Sequence, residues 1–109
     1  MRMDFGITEN AQDILMDIFK RYPEVSEVLV YGSRAKENYG ERSDLDLVVV
    51  DPIDRFVLGK LIMDINESDF PYTVDIQIFG SIQNKNLINH ISRVGRVFYN
   101  KERDSVKVS

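Results

Sequence analysis

The chain has 109 residues, a length at which one domain with one hydrophobic core is expected. It has no cysteine and a single histidine, His90, which excludes disulfide scaffolds, Cys-ligated metals, thiol catalysis and multi-histidine metal sites. A net charge of -4 disfavours broad binding to a nucleic-acid backbone. No apolar run approaches the roughly 20 residues of a membrane span, and Met1-Arg2-Met3-Asp4 lacks a signal-peptide core. The expectation is a soluble, cytoplasmic domain whose chemistry rests on carboxylates, hydroxyls and a hard metal.

The first element is a helix. Thr8 is its N-cap, Glu9 puts negative charge in the first turn, and Ala11, Ile14, Leu15, Ile18 and Phe19 recur at helical spacing. Lys20 and Arg21 suit its last turn and Pro23 follows its end. Val25 to Tyr31 reads as a strand stopped by Gly32-Ser33. After the polar stretch Arg34 to Ser43, Leu45 to Val50 is an apolar run closed by Asp51-Pro52, which suits a strand covered on both faces. Ile53 to about Asn66 reads as a helix, with Phe56, Val57, Leu61, Ile62 and Ile65 as its apolar face and Gly59 as a weak point.

Thr73 to Phe79 alternates strictly. Val74, Ile76 and Ile78 face a core, while Thr73, Asp75 and Gln77 form a polar face. A last helix runs from about Asn84 to Val94, with Leu87, Ile88, Ile91 and Val94 on one side and Gly95 just past its end. Val97 to Tyr99 fits a short edge strand, and the charged tail from Lys101 to Ser109 is expected to fray. Strands separated by helices imply a small sheet with helices mainly on one face, in one domain spanning 1–109 with its core at about 9–99.

The chemistry concentrates around the first two strands. Asp44 and Asp46 stand at i and i+2 of a strand start, so their side chains share a face and can reach a common Mg²⁺. The short pattern equally fits an acidic, solvated strand start. Gly32-Ser33 after a buried strand lets the backbone approach phosphate oxygens, and equally fits an ordinary strand-ending turn. Asp75 would complete a group of three carboxylates if its strand lies beside Asp46; alternation alone places it in water.

Together these residues carry a resemblance. Gly32, Ser33, Arg34, Ala35, Ser43, Asp44, Leu45, Asp46 and Leu47, with Asp75 in Val74-Asp75-Ile76, resemble the DNA polymerase β-like nucleotidyltransferases. The similarity is greatest to their minimal, MNT-type branch, the antitoxins of HEPN/MNT pairs. Ser68-Asp69-Phe70-Pro71 and the Ile91, Gly95, Phe98-Tyr99 ending are also similar to small members of that branch, so the resemblance covers roughly Ile14 to Tyr99. Glu37 departs from it, standing where members often carry glycine.

The resemblance implies an α+β, two-layer fold of palm type, with a small mixed sheet. It implies that Asp44, Asp46 and Asp75 hold two Mg²⁺ ions, with Mn²⁺ as a substitute, and that Gly32, Ser33 and Arg34 hold the phosphates of ATP. AMP would pass to an acceptor hydroxyl and pyrophosphate would leave. Lys36 and Arg42 stand near the same phosphates or in solvent. Tyr31 reads as core, Tyr39 as a loop residue, His90 as a half-buried helix residue and Asp51 as a strand-end or cap residue. The chain is short for a palm that selects its own acceptor, so a separate HEPN-domain partner is implied, with a homo- or hetero-oligomer as the assembly and no direct contact to nucleic acid. The alternatives are a non-catalytic module that neutralises a HEPN partner by contact, and a subunit of an antibiotic adenylyltransferase.

Overall fold

The structure is a computed structural model, which describes residues 5–32 and 44–105. The first helix, α1 (Glu9–Lys20), starts as its sequence requires: Thr8 accepts a hydrogen bond from the Ala11 N–H at 3.1 Å. The strand β1 (Glu27–Tyr31) follows, then β2 (Leu45–Val49). The helix α2 (Arg55–Glu67) leads to β3 (Val74–Ile78), and α3 (Lys85–Val94) leads to β4 (Arg96–Asn100). A short helix, α4 (Lys101–Ser105), comes after β4.

The four strands form one sheet in the order β3-β2-β1-β4. The pair β2/β3 is parallel and joined through α2, whereas β1 is antiparallel to both β2 and β4. The sheet is therefore mixed, in an α+β fold.

The alternation of the strands divides two cores. Val28 and Val30 of β1, Leu45, Leu47 and Val49 of β2, and Ile76 and Ile78 of β3 pack in one buried cluster with Leu15, Ile18 and Phe19 of α1 and Leu61 and Ile65 of α2. On the opposite face, Tyr31 and Val48 meet Ile91 of α3, with Leu29 and Leu87 beside them. Two helices thus cover one face, and α3 covers part of the other. β2 is apolar along most of its length because Val48 is buried as fully as Leu47.

Three sequence expectations change. Phe56 and Ile62, expected on the buried face of α2, are 71% and 38% exposed. Leu61 and Ile65 define the buried side, and Phe56, five positions before Leu61, lies about 140° around the helix from it. The start of that helix also moves, because Asp54 acts as N-cap and accepts from the Val57 N–H at 2.8 Å. The first residues of the charged tail, Lys101–Ser105, form a helical turn. Asp104 accepts from the Asn100 N–H at 2.8 Å and the Arg103 guanidinium donates to the Phe98 carbonyl at 3.0 Å, which fixes α4 against the end of β4.

The register of β4 slips against β1 between Val28 and Leu29: Val28 pairs with Tyr99 and Leu29 with Val97. The extra residue, Phe98, lets two consecutive aromatic side chains enter one core, and both Phe98 and Tyr99 pack within 6.2 Å of the Phe19 ring centre.

Candidate functional site

Among the described residues, the exposed part of the second face lies where β1 ends and β2 begins. Leu45, Leu47 and Val49 point into the larger core, so Asp46 must point to the other face. Across the ladders, Asp46 pairs with Tyr31 on one side and with Asp75 on the other. Tyr31, Asp46 and Asp75 form one row across three strands, with neighbouring strands about 4.8 Å apart. The next row on the same face is Leu29, Val48 and Gln77. Asp44 stands one residue before β2, is exposed and has the strand parity of Asp46. The sheet thus brings Asp75 beside the Asp44–Asp46 segment, which alternation alone leaves open.

The charges agree with this proximity. Burial pushes the Asp46 carboxyl above its ordinary range, and the neighbouring Asp75 and Asp44 push it further, while His90 acts in the opposite direction. Partial burial and like charge both oppose ionisation there, so a cation would be favoured beside Asp46. Asp46 and Asp75 supply oxygen donors, the type a Mg²⁺ ion takes. Among the described residues, no group of three or more His, Asp or Glu side chains is placed to hold a metal ion. Adjacent carboxylates of this kind suit a cation whose remaining positions are filled by phosphate and water oxygens.

Gly32 closes the site at the end of β1. Its φ of +79° is in the left-handed region, and a Cβ there would run into the Asp46 carboxylate. The glycine is required twice over, by its backbone conformation and by the close approach of the acid on the next strand. Ser33 and Arg34, assigned to phosphate binding from the sequence, lie outside the described residues, as do Lys36, Glu37, Tyr39 and Arg42.

The floor of the site contains a contact that sequence reasoning misses. The Gln77 side-chain amide donates a 2.9 Å hydrogen bond to the Tyr31 hydroxyl, reaching over β2 from one flanking strand to the other. The His90 ring of α3 meets the Tyr31 ring edge-on, with centroids 6.4 Å apart. Tyr31 is buried, as expected, and His90 is half-buried on its helix, as expected. The signal for the Tyr31–Gln77 pair is the register: both residues share the face of Asp46 once β3 is known to lie beside β2.

Asp51 has the strand-end role read from its parity. Its carboxylate accepts from the Ser26 N–H at 2.7 Å, the Ser26 hydroxyl at 2.5 Å and the Glu27 N–H at 3.2 Å, fastening the start of β1 to the end of β2.

The sequence matches the family model for polymerase beta nucleotidyltransferases over residues 13–104. No curated protein matches the chain. Several solved structures share the fold. A toxin–antitoxin complex with AMP-PNP aligns at a TM-score of 0.66 and 17% identity, covering 85% of this chain and 76% of that one. The toxin–antitoxin MntA-HepT aligns at 0.62 and 15%, covering 89% and 76%. A tri-AMPylated Shewanella oneidensis HEPN toxin in complex with MNT antitoxin aligns at 0.61 and 15%, covering 89% and 76%. At these identities the likeness is one of fold. No helix among the described residues is long and apolar enough to cross a membrane.

Proposed function

Because the chain belongs to the polymerase beta nucleotidyltransferase family, we propose that it transfers AMP from ATP to an acceptor hydroxyl, as the antitoxin partner of a HEPN-type toxin. The observation that carries this reading is the row of Asp46 and Asp75 in register on adjacent parallel strands, with Asp44 at its edge. Such a row is costly without a counter-charge, and a triphosphate with its divalent cations supplies one.

Asp44, Asp46 and Asp75 would hold two Mg²⁺ ions together with the phosphates, and Gly32, Ser33 and Arg34 would hold phosphate oxygens. When bound, the metal would neutralise the triphosphate and lower the pKa of the attacking hydroxyl. Gly32 lets the end of β1 lie directly against the Asp46 carboxylate, which a Cβ there would displace. The acceptor oxygen forms a bond to the α-phosphorus as the bond from that phosphorus to the pyrophosphate oxygen breaks. The acceptor proton passes to solvent and pyrophosphate leaves. The protein's contribution is orientation and charge placement, which for phosphoryl chemistry supply most of the acceleration.

The partner assignment rests on the neighbours in fold, which include an MNT antitoxin bound to a HEPN toxin carrying AMP groups. Asp44 and Asp75 of the row are exposed, and in this reading the acceptor would be presented by the HEPN chain in a hetero-oligomer. The reading places the protein in the cytoplasm, with ATP and Mg²⁺ at hand.

Asp44→Asn separates catalysis from neutralisation by contact. With α-labelled ATP, Mg²⁺ and the HEPN partner, label transfer should fall at least 100-fold in the variant, while circular dichroism stays that of the wild type. Transfer at the wild-type rate would refute the assignment. Full neutralisation of the toxin by an inactive variant would favour the contact-only reading.

A further inference from the structure

Phe56 and Met63 are the most exposed large apolar side chains among the described residues, at 71% and 58%, and Ile62 follows at 38%. All three belong to α2, whose other side enters the core through Leu61 and Ile65. At about 100° per residue, Phe56, Gly59 and Met63 fall within about 40° of the line opposite Leu61, so they form one stripe along the outside of the helix. Gly59 has nothing within 4 Å of where its Cβ would be, and a second helix can come close there. An apolar stripe rimmed by charge is the form of a contact surface between chains.

The charges on the rim select the occupant. Lys60 and Glu67 are exposed and lie on the same flank of the helix, about 100° and 120° from Leu61. The Lys60 ammonium, 4.7 Å from the centre of the Phe56 ring, borders the stripe on that side. When two copies of one helix pack antiparallel about a two-fold axis, each flank faces the same flank of the other copy. Lys60 then meets Glu67 of the second copy, and Glu67 meets Lys60 of the second copy, so one contact makes two ion pairs. A parallel pair would set this flank against the opposite one and lose both. The register that brings Lys60 level with Glu67 puts the axis beside Met63, where the two Met63 side chains meet. On the other flank, Ile62 comes within about 5 Å, along the helix axis, of Ile62 of the second copy.

We infer that α2 is a self-association surface: two copies of this chain pair antiparallel through Phe56, Ile62 and Met63, with reciprocal Lys60–Glu67 ion pairs at the rim. The inference goes beyond the function proposed above and does not rest on it. α2 covers the face of the sheet opposite to Asp46 and Asp75, so the contact leaves the acid row of each copy apart from it. The 13 residues of α2 span about 20 Å, which makes a small interface of the class that dissociates on dilution.

The experiment is sedimentation equilibrium of the purified chain from micromolar to millimolar concentration. The samples are the wild type, Lys60→Glu, Glu67→Lys, an equimolar mixture of these two variants, and Met63→Lys, with circular dichroism as the check on folding. The wild type should show a monomer–dimer equilibrium. Each charge reversal alone should weaken it about 10-fold or more, because both ion pairs become like-charge contacts. The mixture should recover the wild-type affinity, since the two acids of one variant then face the two cations of the other. Met63→Lys should be monomeric. A wild type that stays monomeric throughout overturns the inference, as do charge reversals that dimerise like the wild type or a mixture that does not recover. If the wild type is monomeric and Met63→Lys instead loses binding to the HEPN partner, the stripe belongs to that partner and self-association is refuted. Should a charge reversal not fold, Met63→Lys decides alone: weaker dimerisation supports the inference and unchanged dimerisation overturns it. Failure of AMP transfer would leave each of these outcomes intact.

Discussion

Gly32 and Asp51 show how single residues set the geometry of the site from opposite ends of the same pair of strands. Gly32 adopts a φ of +79° with the Asp46 carboxylate where a Cβ would be. Gly32→Ala should therefore cost about 1–3 kcal/mol of stability from backbone strain and displace Asp46 as well. The check is chemical denaturation together with ATP-dependent transfer, and both should fall. Asp51 is governed by pH. Burial works against its ionisation, but hydrogen bonds from the Ser26 hydroxyl and the Ser26 and Glu27 amides outweigh this and hold its carboxyl below the ordinary 3.8. A depressed folded value means stability that is present above the unfolded value and lost as pH falls through the folded one. Asp51→Ala should cost about 1–2 kcal/mol near neutral pH. The gap between variant and wild type should shrink below about pH 4, as equilibrium unfolding across that range would show.

At the scale of elements, α2 shows where sequence periodicity misleads. Its apolar residues are spread widely enough that Phe56 and Ile62 read as core, yet only Leu61 and Ile65 are buried, and Phe56 stands in solvent beside Lys60. Gly59 is a weak point in the helical pattern, and the helix accommodates it with open space around it: a Cβ added there would meet nothing within 4 Å. Gly59→Ala should then stabilise the protein by about 0.5–1 kcal/mol, visible as a raised unfolding midpoint with transfer unchanged. By contrast, the starts of α1 and α3 are legible because Thr8 and Asn84 are capping residues with side-chain oxygens on the right amides. The helical turn α4 is not, because it is held by Asp104 and Arg103 reaching back to Asn100 and Phe98, contacts that no local pattern announces.

For the whole molecule, the strands and helices are readable from hydrophobic spacing, but the sheet order is not. The order β3-β2-β1-β4 is what turns Asp75 from a polar strand residue into the neighbour of Asp46, and what places Gln77 within reach of Tyr31. Pairing between strands is fixed by cores that span the chain, so a linear pattern gives the face of each residue and not its cross-strand partner. The acidic motif can be recognised from its spacing; the tyrosine that shares its row cannot. The same topology leaves Asp44 and Asp75 exposed, and under the proposed function a partner chain presents its acceptor there.

The central claim is nucleotidyl transfer to that partner, and intact mass spectrometry tests it most directly. The purified protein would be incubated with its cognate HEPN partner, ATP and Mg²⁺, beside a parallel sample carrying Asp46→Asn. The expected result is a partner heavier by one or more AMP units with the wild type and unchanged with the variant. A partner of unchanged mass in both samples, with the toxin nonetheless neutralised, would contradict the account.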